Sequence, residues 1–235
     1  ALINQSTKKV WDAQVARIQS QITDEIIDEA FQQFPKEVQD ETVLEIKRKL
    51  QGRRKNLQKI ADNYYNYLNE FQVITGTNKD DWFEIERFLN GDTNITVYNI
   101  KDGEKGAIIH QRRYNIDVTK EIWLYGLDDA DRFISSGFAG NRSIKIKIIG
   151  GLSNDIYDLK TPTNIKVYDY KSTKNTFSSD EIRRKLTDEY DINTYDFTKL
   201  KNSANLVSPS FGFNPDDGIK LGVKNTYIEN GLVRN

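Results

Sequence analysis

The sequence predicts an α+β protein: an N-terminal helical segment followed by a β-rich domain. Three observations carry that expectation. Apolar residues recur at helical spacing up to about residue 72, then alternate one-in-two from Trp82 onward. A strand-turn-strand unit is written twice, 24 residues apart (Glu121 to Lys145). Its first copy runs Glu121-Ile122-Trp123-Leu124-Tyr125-Gly126 into a turn that ends Asp131-Arg132-Phe133. The second runs Lys145-Ile146-Lys147-Ile148-Ile149-Gly150 into a turn that ends Asp155-Ile156-Tyr157. Third, turn pairs such as Asn90-Gly91 separate alternating runs, the mark of hairpins.

Taken in order, residues 1–75 read as a helical segment. Thr23 can cap a helix whose first turn carries Asp24 and Glu25, with Ile26, Ile27, Ala30, Phe31 and Phe34 as its stripe, stopped by Pro35. A second helix starts near Asp40 and ends at Gly52, and Asn56 can cap a third. That third helix would bury Leu57, Ile60, Ala61, Tyr64, Tyr65, Leu68 and Phe71. Residues 80–172 read as the β-rich domain: a hairpin from Trp82–Arg87 and Asn94–Ile100, a strand from Ile108 to Tyr114, the two repeat units, and a strand at 164–170. Its form is either sandwich-like or a short stack of strands, and the repeated strands are read first as a sandwich. Residues 173–210 are polar and read as a linker with one helical turn near 181–186. In residues 211–235, Ile219, Leu221, Val223 and Tyr227 alternate with Lys220, Gly222, Lys224 and Thr226, a pattern given alike by a soluble sheet with one wet face and by the start of a barrel-type strand.

At 235 residues the chain suffices for one large domain or two small ones. A 29% charged composition with a mean hydropathy of -0.69 is surface-rich, yet 12 Tyr, 11 Phe and 3 Trp supply bulk for a core. A net charge of -1 argues for no nucleic-acid partner. With no cysteine, disulfides, zinc thiolates and cysteine nucleophiles are excluded. His110 is the single histidine, so neither a paired zinc site nor a histidine triad is expected. The chain shows no signal peptide at Ala1 and does not begin with Met, which reads as a fragment of a processed protein.

Several runs in fixed order add a resemblance. Phe34-Pro35-Lys36-Glu37-Val38, Arg53-Arg54-Lys55-Asn56-Leu57, Tyr64-Tyr65-Asn66-Tyr67-Leu68 and Thr75-Gly76-Thr77-Asn78-Lys79-Asp80 come first. Thr119 to Leu127, Ile149-Gly150-Gly151 and Gly212 to Gly218 follow. Together, over most of 23–228, they resemble the segment before the C-terminal barrel in large bacterial outer-membrane proteins. Many of those proteins carry an N-terminal metallophosphoesterase domain and a surface-antigen (Omp85-like) barrel. The resemblance implies a cell-envelope, outer-membrane-associated protein, with Ile219 to Tyr227 entering the first barrel strand. Its partners would be an upstream domain and the chain's own barrel, with envelope proteins or lipid head groups as further neighbours. The phosphoesterase metal motifs are absent, so no catalytic residue carries over.

The expected function is a non-catalytic structural module that links an upstream domain to the barrel. One alternative is a calcium- or glycan-binding module that uses the acidic turns; another is the C-terminal remnant of a phosphoryl-chemistry domain. Calcium is the one cofactor with candidate ligands: Asp128, Asp129 and Asp131 from the first repeat, and Asn154, Asp155 and Asp158 from the second, near a Gly150-Gly151 turn that approaches a calcium repeat. Against it, Ser153 stands where such a repeat needs glycine, and acid-rich turns commonly do no more than solvate a sheet edge. The basic run Lys47, Arg48, Lys49, Arg53, Arg54 and Lys55 could touch anionic head groups, although such runs are more often a solvated helix face.

Overall fold

Short polar side chains cap the second and third α-helices of the N-terminal unit, Ala1–Glu70. The computed structural model describes residues 6–140, 142–198, 204–216, 218–228 and 231–232. Within this unit lie α1 (Lys8–Gln21), α2 (Asp24–Gln32), α3 (Glu41–Lys55) and α4 (Leu57–Asn69). Thr23 Oγ1 accepts from the Ile26 amide at 3.3 Å, as expected from the sequence, and Asp40 Oδ1 accepts from Thr42 and Val43 at 2.9 and 3.1 Å. The expected stop at Gly52 is not used. The helix runs on to Lys55 because Arg53, Arg54 and Lys55 favour the negative end of its dipole, and Arg54 is held by Gln19 O at 3.1 Å. Asn56 does not cap α4; its amide turns back and donates to Gly52 O at 2.9 Å.

This unit has little core. Its buried apolar residues, among those described, are Val15, Ile27 and Tyr65. The face expected to be buried on α4 is only partly so: Tyr65 is buried, Leu57, Ala61 and Leu68 are half-buried, and Ile60 and Tyr64 are 50% and 48% exposed. Packing comes instead from Trp11 of α1, whose ring sits 5.7 Å from Tyr65 and 5.9 Å from Tyr64, and from polar links such as Gln58 to Asp12 at 2.8 Å. No described helix is long and apolar enough to cross a membrane.

The second unit, Phe71–Asn235, is a stack of coils. One sheet is wholly parallel: β1 (Phe71–Thr75), β5 (Glu121–Leu127), β7 (Lys145–Gly151), β9 (Ile165–Asp169) and β11 (Arg184–Leu186), adjacent in that order. The facing sheet runs β10 (Thr176–Phe177), β8 (Ile156–Leu159), β6 (Arg132–Gly137) and β2 (Asp81–Arg87), also parallel. It continues into the antiparallel strands β3 (Thr93–Lys101) and β4 (Glu104–Tyr114), the hairpin read from the sequence. The chain crosses from one sheet to the other and back, so each coil supplies one strand to each sheet. The crossover that a parallel pair requires is here a strand of the opposite sheet. Two sheets do face each other over one core, as a sandwich would, but parallel pairing makes this the stacked form and not the sandwich read first.

The repeat appears as register. Glu121 pairs with Lys145, and Arg132 with Ile156. The interior holds Ile122, Leu124, Ile146, Ile148 and their neighbours, with a column of aromatic rings: Phe83 to Phe133 at 4.6 Å, Phe133 to Tyr157 at 5.2 Å, Tyr157 to Phe177 at 4.8 Å, all stacked. A second apolar cluster, Trp123, Tyr125 and Ile149 with Ile192 and Leu232, includes a residue of the single-turn α5 (Tyr190–Asn193). Alternate residues of β5 thus belong to two different clusters, which is why that strand is apolar without a break.

Two expected boundaries shift. Phe71–Thr75 is the strand β1 and not the end of the helical segment, since Val73, Ile74 and Thr75 are β-branched and pair with β5. The stretch 173–210 is not a linker: it supplies β10 and β11, which extend both sheets by one coil, and then α5, while 181–186 ends in strand and not helix. Its last part opens β12 (Ala204–Asn214), which pairs along its whole length with β13 (Gly218–Ile228). Pro209 is tolerated because a two-stranded hairpin leaves one edge of β12 without ladder partners. Of the turn Asp216-Asp217-Gly218, Asp217 lies outside the described residues.

Candidate functional site

Four coils carry the same local pattern at the corner where the chain enters the second sheet. Asp81-Trp82-Phe83, Asp131-Arg132-Phe133, Asp155-Ile156-Tyr157 and Asn175-Thr176-Phe177 each place an acid or amide two residues before a ring of the aromatic column. The acids form a line of their own. Asp131 Oδ1 accepts from the Asp81 amide at 2.8 Å, Asp155 Oδ1 from the Asp131 amide at 2.9 Å, and Asn175 Oδ1 from the Asp155 amide at 2.8 Å. Each side chain thus ties the backbone of the preceding coil. Asp81, with no ladder acid before it, turns to its own loop and accepts from Thr77 Oγ1 at 2.9 Å.

Glycines make room for the line. A Cβ at Gly126 would run into the Asp131 carboxylate, and one at Gly150 into Asp155, Tyr157 and Asp169. Asp169, at the end of β9, joins from the other sheet: the Tyr157 hydroxyl donates to its Oδ2 at 2.5 Å and to Asp155 Oδ2 at 3.3 Å. All four aspartates are 1% exposed or less. Burial pushes Asp131 up to about 9, with the Asp155 charge adding to it. Burial and then Asp169 push Asp155 up to about 8. Asp169 rises only to about 6, because the Tyr157 hydroxyl steadies its charge, and Asp81 is raised by burial as well. Asp131 is therefore biased towards its protonated form at neutral pH, and Asp155, facing Asp169, is pushed the same way. These carboxyls are sealed from solvent, and Asp131 and Asp155 tie one coil to the next.

A second buried ionisable group, Arg87, closes β2. It is 2% exposed, and its guanidinium donates to Thr93 Oγ1 at 2.8 Å, Ile144 O at 2.9 Å and Thr163 O at 3.3 Å. Burial lowers it to about 10.

The six residues proposed as calcium ligands are not brought together. Asp131 and Asp155 point into the ladder. Asp128, Asp129 and Asn154 are exposed on the turns, where Asp128 Oδ1 takes the Asp129 amide and Asn154 Oδ1 the Lys174 amide, both at 2.8 Å. Asp158 alternates to the outer face of β8, opposite Ile134. Strand alternation and turn geometry send these oxygens in three directions, and no cluster of three or more His, Asp or Glu side chains among the described residues is set to hold a metal ion. The residues that sequence reasoning missed are Asp81, Asp169 and Asn175. The acid-x-aromatic spacing at 81–83 and 175–177 was the available signal for two of them.

Three members of the basic run are paired within their own unit: Lys47 with Asp28 at 2.9 Å, Lys49 with Glu45 at 2.7 Å, and Arg54 with Asp24 at 3.4 Å. His110 is half-buried beside the Tyr114 hydroxyl at 3.0 Å, and burial lowers its proton affinity. Between α1 and α4 runs an apolar groove of about 610 Å³, lined by Val10, Trp11, Val15, Ile18, Leu57 and Ile60 among others. Compared with known protein families, curated proteins and solved structures, the chain matches none.

Proposed function

We propose that the chain is a non-catalytic module that joins an upstream domain to an outer-membrane β-barrel, as the sequence resemblance implies. The observation that carries this reading is the β12–β13 hairpin. Both strands have 11 residues, a length at which a tilted β-strand spans the hydrocarbon core of a bilayer. Over residues 208–213 and 219–224 their register sorts the side chains by chemistry, while nearer the open end Val207 pairs with Asn225, Asn205 with Tyr227 and Leu206 with Thr226. Phe213 pairs with Ile219, Phe211 with Leu221 and Pro209 with Val223 on one face. Gly212 with Lys220, Ser210 with Gly222 and Ser208 with Lys224 occupy the other. The apolar face is bare, with Phe211 82% and Leu221 73% exposed. An exposed apolar patch of this kind is unfavourable in water and suits acyl chains, while small and polar residues suit a barrel lumen.

In this reading the coil stack is the spacer. Side chains bonded from coil to coil and a continuous ring column make it stiff, so that it would hold an upstream domain at a set distance from the membrane. The absence of cysteine supplies the test, because any introduced thiol is the sole thiol of this region. Single cysteines at Phe211 and Val223, and separately at Ser210 and Lys224, are placed in the parent protein in its membrane and exposed to a water-soluble maleimide. Protection of the first pair with labelling of the second is expected. Equal labelling of both faces would sink the reading.

A further inference from the structure

The turns that follow Gly76, Gly126 and Gly150 stand next to one another because their strands are in register. Between these turns and the α5 segment lies a cavity of about 360 Å³, within the range of small-molecule sites. The turns contribute Asn78, Leu127 and Asp128, and the α5 side contributes Tyr190, Asn193 and Tyr195.

Three features set this cavity apart from a chance gap. Leu127 sits at φ +87°, a region that bulky residues avoid, while its partner one coil on is Gly151 at φ +104°. The backbone here suits glycine, yet a leucine is held in place and supplies an aliphatic wall. Asn193 is 3% exposed, and its amide is fixed by donation to Thr187 O at 2.6 Å and Glu189 O at 3.2 Å. Its Oδ1 is left buried with no hydrogen-bond partner among the described residues, an acceptor in want of a donor. Tyr195 is locked edge-on against Tyr125 at 5.0 Å, while Tyr190 stands 69% exposed.

The lining selects a ligand class. Among the described residues no lysine or arginine lines the cavity and Asp128 does, which disfavours an anion. The one carboxylate among the described lining residues is too few for a calcium ion, which takes six to eight oxygens. A carboxylate, two amides and two tyrosines around a leucine wall suit a neutral molecule with several hydroxyl groups and one apolar face. We propose that the cavity binds a pyranose sugar. Asp128 would accept from ring hydroxyls, Asn78 would donate, and Tyr190 would close over the C–H face of the ring.

The test titrates the full chain with glucose, galactose, mannose and N-acetylglucosamine at millimolar concentration and reads saturation-transfer NMR from protein to sugar. Asp128→Ala and Tyr190→Ala serve as variants, since both positions are exposed and neither belongs to the core. Saturable transfer to at least one sugar is expected, with affinity reduced about tenfold by each variant, the scale of one charge-assisted hydrogen bond or one ring contact. Absence of saturable transfer to all four sugars would overturn the proposal. So would binding that both variants leave unchanged, since the sugar would then sit elsewhere.

Discussion

Replacing Asp131 with asparagine separates the two things its carboxyl does in the ladder, accepting a hydrogen bond and keeping a proton. Asparagine retains the first: its Oδ1 can take the Asp81 amide as Asp131 does at 2.8 Å. The chain already contains the precedent, because Asn175 fills the same rung and accepts from Asp155 at 2.8 Å, with its own amide donating to Thr173 Oγ1 at 2.8 Å. What asparagine cannot do is ionise. Burial raises the folded-state value of Asp131 to about 9 from the ordinary 3.8. Between those values the folded chain holds a proton that the unfolded chain has released, so stability is full below about pH 4 and is lost as pH rises towards 9. The slope is about 1.4 kcal/mol per pH unit for one such group, or roughly 3 kcal/mol between pH 5 and pH 7. Asp131→Asn removes this loss, so its advantage over the parent chain should widen by about 2 to 3 kcal/mol across that interval. Urea unfolding followed by tryptophan fluorescence measures it, in a Trp11→Phe background so that signal comes from Trp82 and Trp123 of the stack. A stability difference that stays flat, or narrows as pH rises, would refute the buried-proton reasoning. A variant already weaker by more than about 2 kcal/mol at pH 5 would refute the claim that asparagine keeps the acceptor.

Gly150→Ala drives a methyl group into Asp155, Tyr157 and Asp169, and should cost about 3 kcal/mol or more in the same urea experiment. Gly52→Ala in α3 meets nothing within 4 Å, and should stabilise the helical unit by about 0.5 to 1 kcal/mol, read by circular dichroism on heating. Tyr157→Phe keeps the ring column but removes the donor to Asp169, so it should cost about 1 to 2 kcal/mol and raise the Asp169 proton affinity, measured by carboxyl NMR titration. Arg87→Lys leaves one point charge to serve acceptors spread over Thr93, Ile144 and Thr163, and should destabilise by about 2 to 4 kcal/mol in urea.

The change of period at Trp82 and the repeat at Glu121 and Lys145 made the two parts of the fold and two of its coils legible in the sequence. Parallel pairing was not, because a strand that alternates looks the same whichever direction its neighbour runs. Phe71 escaped notice because it falls on the helical spacing of Tyr64 and Leu68, although it begins β1. The last coil was hidden by shrinking offsets: Ile146 pairs with Ile165 and Val167 with Arg184, closer in sequence than the 24 residues of the clear repeat. Ile182, 2% exposed, and Phe177, packed against the core, were its apolar clues in a polar stretch. At the ladder, Asp131 and Asp155 stood out for their position after a glycine and an acidic turn. Spacing alone could not say whether the carboxyls faced outward to an ion or inward to a neighbouring amide.

The β3–β4 hairpin bears on how copies of this chain behave when crowded. A stack of parallel coils is in principle extendable, since a strand from another molecule can lie against its last strand and propagate the pattern into a fibre. On the β2 side of the second sheet that route is obstructed. The next strands run antiparallel, their pairing slips at Val97/Tyr98 and again at Tyr98/Ile100, and the outermost strand carries Lys105, Arg112 and Arg113. An incoming copy would find there neither the direction nor the spacing of a coil, and would have to bury positive charge to dock. The hairpin interrupts the repeat on that side and works against fibre growth.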